Sequence, residues 1–559
     1  MPPPEPAPET AAPRYSWIAR ALLTSAVALL MLGMLLPGMT LKSLRADIAP
    51  LSRVLSWLDH LAPNLDLVHL LLFAWITLCV RWVFPRLRAW QVALLALALA
   101  AASEVLQLMA PGRGPGLYDI GQDLLGVTLG LVIGWLLRAM RRPALASALR
   151  QGSGWLLLAG LLALPWMRWE VYSLFRQELL AADLLLAGAL GLRLLALAAG
   201  DALHPSRFHA WLAAYVALMA LAVLVQVTSV SFYLSFGKWI GVLYLALLAV
   251  LAHDLARNDS FRRRMVMTWL LATAVVSALV LVAAAGFWLS PSLREAVEPL
   301  MSRYGSLPVG NYPRVLATFA NPNMLCSYLT VGLALTLAAR TLGWLSPRVG
   351  AALAGLVTLA AVFTVSPGWG GIALVWTIWA WTVQRVERPR LAAAMLAGGL
   401  AFAALMLLAC AVDPMDPFGE PSVRWRIWQA ALQTVLANPW LGVGVGRAVV
   451  EVFHLAPDGG LQQLSDAHNI WLNVAGQAGV FAALALAGLL VHLAWKPAAP
   501  VADDASRTLR FALVLALVGA WGFQGLTSSL EDARHLWLML GLLAACVPAV
   551  VSARAGTPS

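Results

Sequence analysis

Apolar runs of about twenty residues recur along the chain, separated by short polar or basic stretches. The runs at 17–36, 90–109 and 266–289 are each long enough for a helix to cross a bilayer. A backbone inside lipid must satisfy its own hydrogen bonds, so such runs predict helices and not open sheets. The strict alternation of an outer-membrane barrel is absent from the sequence. The pattern predicts an all-α polytopic integral membrane protein with about sixteen transmembrane helices. They fall near 17–37, 63–82, 89–109, 120–138, 153–168, 179–199, 209–227, 231–252, 265–289, 322–340, 350–366, 369–384, 391–411, 470–493, 508–527 and 535–553.

The polar stretches give orientation. Arginines gather at 81–88, 138–150, 257–264 and 385–390, which all fall on one side if the N-terminus is inside. Cytoplasmic loops carry such an excess, so both termini are expected to be cytoplasmic. The same bias explains the formal net charge of +11 without nucleic acid. No basic face carries interleaved aromatics, and no nucleic-acid partner is expected. Residues 1–16 are Pro-rich and read as a disordered tail. A basic, polar linker at 138–154 divides a four-helix part (17–150) from a twelve-helix part (151–559). The first apolar run has no convincing cleavage site after it and reads as a retained helix.

Two long segments then fall outside, 290–321 and 412–469. Long connections of this kind are often functional. The first contains PRVLATFANPN (313–323); the second contains RWRIW (424–428), NPWLGVGVGR (438–447) and DAHN (466–469). Arginines, amides and one histidine therefore share one side of the membrane. Arginine binds phosphate through a planar fork and could steady charge building on a departing diphosphate. Histidine has a pKa suited to taking a proton from an attacking hydroxyl. With no ATP outside the cytoplasm, the donor must carry its own activation, as a sugar on a lipid diphosphate does.

At these residues the chain resembles the O-antigen ligase and polymerase superfamily. Arg314 followed by Phe319-x-Asn321-Pro322-Asn323, Arg424-x-x-x-Trp428 followed by Asn438-Pro439-Trp440-Leu441-Gly442-Val443-Gly444, and Ala467-His468-Asn469 with Leu472 and Gly479 are similar to that family's motifs, in its order. The resemblance covers roughly 151–559. It implies a GT-C-like module that moves a glycan from undecaprenyl diphosphate to a glycan or lipid A-core acceptor, on the periplasmic face of the bacterial inner membrane. It implies His468 as base and Arg314 and Arg424 as diphosphate ligands. Arg426, Arg447, Asn321, Asn323, Asn469, Trp428, Asp466 and Arg534 are candidates for substrate contact. Ser366-Pro367-Gly368 stands where many members have Ser-Arg-Gly, and Gln477 where many have Glu.

Plainer readings stand beside these. His468 could be an interfacial histidine at a helix start, with Asp466 as the helix cap or as the group that orients the imidazole. Arg424 and Arg426 flank Trp425 as membrane-surface anchors do. Asn321 and Asn323 bracket a proline, as turn or cap residues do. GVGVG lacks the Lys-Ser/Thr of a nucleotide loop and reads as a tight turn. Asp413, Asp416 and Glu420 sit among prolines; neither metal nor cofactor is expected. The four cysteines show no metal-ligand spacing. Glu531, Asp532 and Arg534 form either a salt-bridged loop or an acceptor contact.

Residues 17–140 resemble the VanZ-like family through Asp66-x-x-His69, Glu104-x-x-Gln107, Pro111-Gly112-Arg113, Asp119 and Gly126, with Asp123 where members often have Asn. His69, Glu104, Gln107, Arg113 and Asp119 read either as an outside-facing polar pocket that touches lipid or glycan, or equally as a fixed salt-bridge network between spans. Two rival functions remain. A secondary transporter or glycan flippase would use intramembrane charges, of which Asp183, Arg193 and Lys238 stand out. An oligosaccharyltransferase that O-glycosylates protein would use the same outer site.

Overall fold

The computed structural model describes residues 67–84, 87–107, 117–139, 142–167, 170–174, 177–224, 232–302, 313–412, 422–455, 461–495 and 504–546, with Leu23, Thr24 and Val27. Most of the expected first span, the Asp413–Glu420 carboxylates, Asp66 and the Pro111-Gly112-Arg113 motif lie outside the described residues. Glu104 and Gln107 fall at the end of the helix Ala89–Gln107.

Helices dominate, as the apolar runs predict. Seven helices among the described residues are long and apolar enough to cross a membrane, and shorter apolar helices accompany them. This is consistent with a polytopic membrane protein. The all-α expectation is qualified by two short antiparallel hairpins among the described residues: Glu170–Leu174 with Gln177–Leu180, and Val452–Leu455 with Leu461–Leu464. The stretch expected as a linker at 138–154 is helical from Pro143 on, where the helix Pro143–Ala163 starts. Proline suits a first helical position because its missing N–H has no partner to lose.

Contacts divide the chain into two compact units, one of Met1–Ala146 with Ala198–Asp201 and Val227–Tyr233, the other of the remainder. In the first, the helices Leu67–Val83 and Leu117–Ala139 touch at backbone distance. A Cβ at Gly126 would lie 2.3 Å from the Leu70 carbonyl oxygen, and one at Gly130 would lie 2.6 Å from that of Ala74. Small residues four apart let membrane helices approach this closely. The same approach brings His69 Nδ1 within 3.1 Å of Asp123 Oδ1.

In the second unit the helix Pro322–Thr341 is the most buried of the seven candidate spans. The helices Asp259–Leu289, Pro347–Val362 and Asp504–Ala516 pack around it. Two of its buried hydroxyls are matched across the bundle: Ser327 Oγ lies 3.0 Å from His535 Nε2, and Thr330 Oγ1 accepts from Gln524 Nε2 at 2.8 Å. The three charges expected within spans have partners. Arg193 donates to Asp254 at 2.7 Å, Lys238 pairs with Asp532, and Asp183 receives Arg534 Nε and Nη2 at 2.5 and 2.6 Å. A buried charge left without a partner would be costly.

Two expected spans are interrupted. The run 470–493 is a nine-residue helix Ile470–Ala478, a break at Gly479, then the helix Val480–Trp495. The run 508–527 leaves α-helix for a π-helical stretch Leu517–Phe523 and a 3₁₀ turn Gln524–Leu526. Such irregular turns cluster at functional sites.

Candidate active site

The segment 412–469 carries its own folded layer, which fixes where its polar groups stand. The helix Val423–Ala437 starts behind the Ser422 cap, whose hydroxyl accepts from Trp425 N at 3.1 Å. Its apolar face, with Ile427 and Ala431, packs on Val449, Val450 and Ala467. The helix start therefore sits beside the strand that leads into His468. From that first turn Arg424 Nη1 reaches the Thr527 carbonyl oxygen at 2.7 Å and Cys410 Sγ at 3.6 Å. Both partners are uncharged, so the cation keeps its full field.

Arg314 arrives from a different segment held on three sides. Ser302 N donates to the Arg314 carbonyl at 2.8 Å, Val315 N to that of Phe363 at 2.8 Å, and Met167 N to that of Thr318 at 3.0 Å. The guanidinium Nε donates to the Thr364 carbonyl at 3.4 Å. Burial first, and then the charge of Arg424, lower its pKa to about 10. It stays charged at neutral pH. Arg424 also acts on His468, whose pKa is lowered by burial first and Arg424 second, with Asp466 pulling the other way. Two arginines and one histidine from three separate segments thus share one electrostatic neighbourhood, and the imidazole is held neutral at pH 7.

His468 sits on a strained turn. Its φ is +46°, a left-handed conformation uncommon for residues other than glycine. The helix cap just after it is Asn469, whose Oδ1 accepts from Trp471 N and Leu472 N at 3.0 and 3.1 Å. The expectation that Asp466 caps this helix is corrected, since Asp466 lies exposed three residues ahead of Asn469. Asn469 Nδ2 donates to the Leu526 carbonyl at 3.1 Å, so its amide is held by protein on both ends. Ala317 and Val365 share the left-handed conformation, at φ +50° and +43°. All three such residues among those described lie in the segments that carry or contact Arg314 and His468. Strain of this kind persists only where surrounding structure enforces it.

Asn473 supplies part of that enforcement, and the sequence reading missed it. Its Oδ1 accepts from Ala467 N at 3.4 Å, next to His468, and its Nδ2 donates to the buried Glu531 carboxylate. Burial first and Asp532 second push the Glu531 carboxyl up to about 7. A folded-state pKa raised above the unfolded value makes an acid favour folding below the unfolded pKa and oppose it as pH rises. Thermal stability should therefore fall between about pH 4.5 and 7 through this group. Glu531→Gln should remove that part of the slope while keeping an oxygen for Asn473. Melting temperatures of both proteins across that range check it; parallel slopes would be the contrary result.

The turn NPWLGVGVGR wraps the C-terminal end of the helix Ile470–Ala478, as the tight-turn reading expects. Val443 N and Gly444 N donate to the Gly476 and Gln477 carbonyls at 2.8 and 3.1 Å, and Gly446 N to Gln477 Oε1 at 2.9 Å. Gly479 closes it at φ +85°, where a Cβ would fall 2.0 Å from the Trp440 carbonyl oxygen. Gly479→Ala should destabilise the protein by about 3 kcal/mol or more, because backbone on both sides must move. Chemical denaturation of the two proteins in the same detergent measures it.

The remaining candidates divide. Asn321 caps the helix Pro322–Thr341 by accepting from Met324 N at 2.8 Å, which favours the cap reading. Asn323 Oδ1 accepts from Ser366 Oγ at 2.8 Å, joining the FANPN and Ser366-Pro367-Gly368 motifs. Trp428 packs against the apolar layer under His468, and its indole N–H is buried with no protein acceptor. Arg426 and Arg447 are exposed. Arg534 is not presented to a substrate: both its fork nitrogens grip Asp183, which also accepts from Tyr244 Oη at 3.1 Å and Leu180 N at 3.0 Å. Among the described residues no group of three or more His, Cys, Asp or Glu side chains could hold a metal.

The apolar helices are those of a multi-pass membrane protein, and Arg314, Arg424 and His468 form its candidate site. Residues 327–487 match the family model described as O-antigen ligase. The match supports the ligase superfamily for this part of the chain and suggests glycosyltransferase-like activity. It spans Arg424 and His468 and stops short of Arg314 on one side and Glu531 on the other. No curated protein matches the chain.

Proposed function

We propose that the protein is a membrane glycosyltransferase that moves a glycan from undecaprenyl diphosphate to a sugar hydroxyl at the periplasmic face of a bacterial inner membrane. The observation that carries this reading is the convergence of Arg314, Arg424 and His468, with Arg424 depressing the pKa of both others. Two half-buried cations that feel each other's charge favour an anion with two charged ends, as a diphosphate has. Beside them a neutral imidazole can take the acceptor's proton.

The step balances as one displacement. The acceptor oxygen bonds to the anomeric carbon as its proton passes to His468. The bond from that carbon to the phosphate oxygen breaks, and the diphosphate leaves with the electron pair, held by Arg314 and Arg424. A single displacement inverts the anomeric centre. No step uses a metal. Acceptors within this class are a lipid A-core, a second repeat unit, or a protein hydroxyl. For the transporter reading, the pairing of Asp183, Arg193 and Lys238 with Arg534, Asp254 and Asp532 accounts for those charges structurally. For residues 17–140 we propose a VanZ-like module that contacts lipid or glycan; the His69–Asp123 contact supports a polar pocket there.

Deleting the gene in its source strain and resolving the lipopolysaccharide by electrophoresis tests the reading. Loss of every ladder band indicates a ligase, and a single-repeat band indicates a polymerase. An unchanged ladder together with unchanged exopolysaccharide and protein glycosylation contradicts a glycan transferase.

A further inference from the structure

The two helices that hold the Arg314 segment carry a second polar site at their far ends. The helix Pro143–Ala163 runs toward Pro165 and Met167, which bond Thr318. The helix Asp259–Leu289 runs toward Leu300, whose carbonyl accepts from Leu316 N and Ala317 N at 3.0 and 3.1 Å. At the opposite, N-terminal ends of the same two helices lies a cavity of about 340 Å³. The longer helix has 31 residues, so at 1.5 Å per residue the cavity lies about 45 Å along it from the active-site end.

Arg150 and Arg264 line this cavity with the hydroxyls of Ser147 and Ser260, and no carboxylate is among its lining residues. Nearby Asp259 is engaged by Arg262 at 2.8 Å. The walls are aromatic: the Arg264 guanidinium lies 5.8 Å from the Trp155 ring and 5.6 Å from the Phe261 ring. Trp155 is 56% exposed, and further along the two helices Leu162 and Leu271 stand 41% and 57% exposed. A cationic, hydroxyl-lined pocket beside an exposed indole, with bare apolar helix surface leading away, is complementary to one molecule with both features. Arg and Trp together favour the headgroup level of a membrane.

We infer that this cavity binds the headgroup of an anionic phospholipid in the leaflet opposite the active site. Arg150 and Arg264 grip the phosphate, Ser147 and Ser260 bond its oxygens or the glycerol, and the acyl chains lie along the helices past Leu162 and Leu271. A headgroup so held would tie the two helices together at the end remote from the site. Free phosphate offers the same oxygens but no acyl chains, and it would leave the apolar flank uncovered.

Native mass spectrometry of the full-length protein in mild detergent, offered equal phosphatidylglycerol and phosphatidylethanolamine, tests this. Wild type should retain phosphatidylglycerol preferentially. The double variant Arg150→Gln, Arg264→Gln should lose that preference by about 10- to 30-fold, as expected for two arginines at a membrane surface. Equal retention of the two lipids by wild type overturns the inference, and that arm holds even if the variant fails to fold. A folded variant that keeps the preference also overturns it. Displacement of the lipid by an equal concentration of inorganic phosphate would make the cavity a free-anion site and reject the lipid.

Discussion

Replacing His468 with alanine is expected to lower the rate of glycan transfer by about 10²-fold or more while leaving the fold and donor binding intact. The side chain is half-buried at φ +46°, so the variant must be separated from a conformational effect. His468→Asn does this, because asparagine enters the left-handed region more readily than most residues and would relax the turn. Both variants should lose activity alike if the imidazole is the base. Recovery in the asparagine variant would mean the turn, and not the ring, is what matters. The pH profile gives a second check. Burial and Arg424 hold the His468 pKa below 6.5, so the neutral, proton-accepting form persists below that pH. The acid limb of kcat/KM should therefore lie below 6.5. Asp466 raises that pKa, so Asp466→Asn should move the limb lower still.

Arg424→Gln is expected to cost a similar 10²- to 10³-fold, by a different route. It removes a group that would stabilise charge on the leaving diphosphate. It also removes a cation that depresses both Arg314 and His468. The residual activity should show its acid limb shifted to higher pH, a signature that loss of packing would not produce. Arg424→Lys should recover part of the rate, since it keeps the charge and loses the planar fork. Arg424 also donates to the Thr527 carbonyl, so thermal stability must be compared first. An Arg424→Gln variant with full rate and an unmoved limb would remove Arg424 from the mechanism.

The helices were legible because apolar length is a local property that survives any packing. The two breaks were not. Gly479 lies inside a run that reads as continuous, and its need for φ +85° comes from the Trp440 carbonyl pressed against it by a distant turn. The core of the candidate site was legible as residue types in order: Arg314, Arg424 and His468. Their supports were not. Lys238 looks like an isolated charge until Asp532, 294 residues on, folds against it, and Asp183 waits for Arg534 across 351 residues. The cap shows the limit most clearly. In DAHN, both Asp466 and Asn469 have suitable side chains, and only the turn at His468 decides which one meets the helix. Asn473 carries no local mark, because its role lies between the Ala467 backbone and Glu531.

The most direct measurement is a transfer assay with purified full-length protein, lipid-diphosphate-linked oligosaccharide and a set of glycan and lipid A-core acceptors. The account predicts one new glycosidic bond of inverted configuration for each polyprenyl diphosphate released. Intact donor that only changes leaflet, with no transfer to any acceptor, would contradict it.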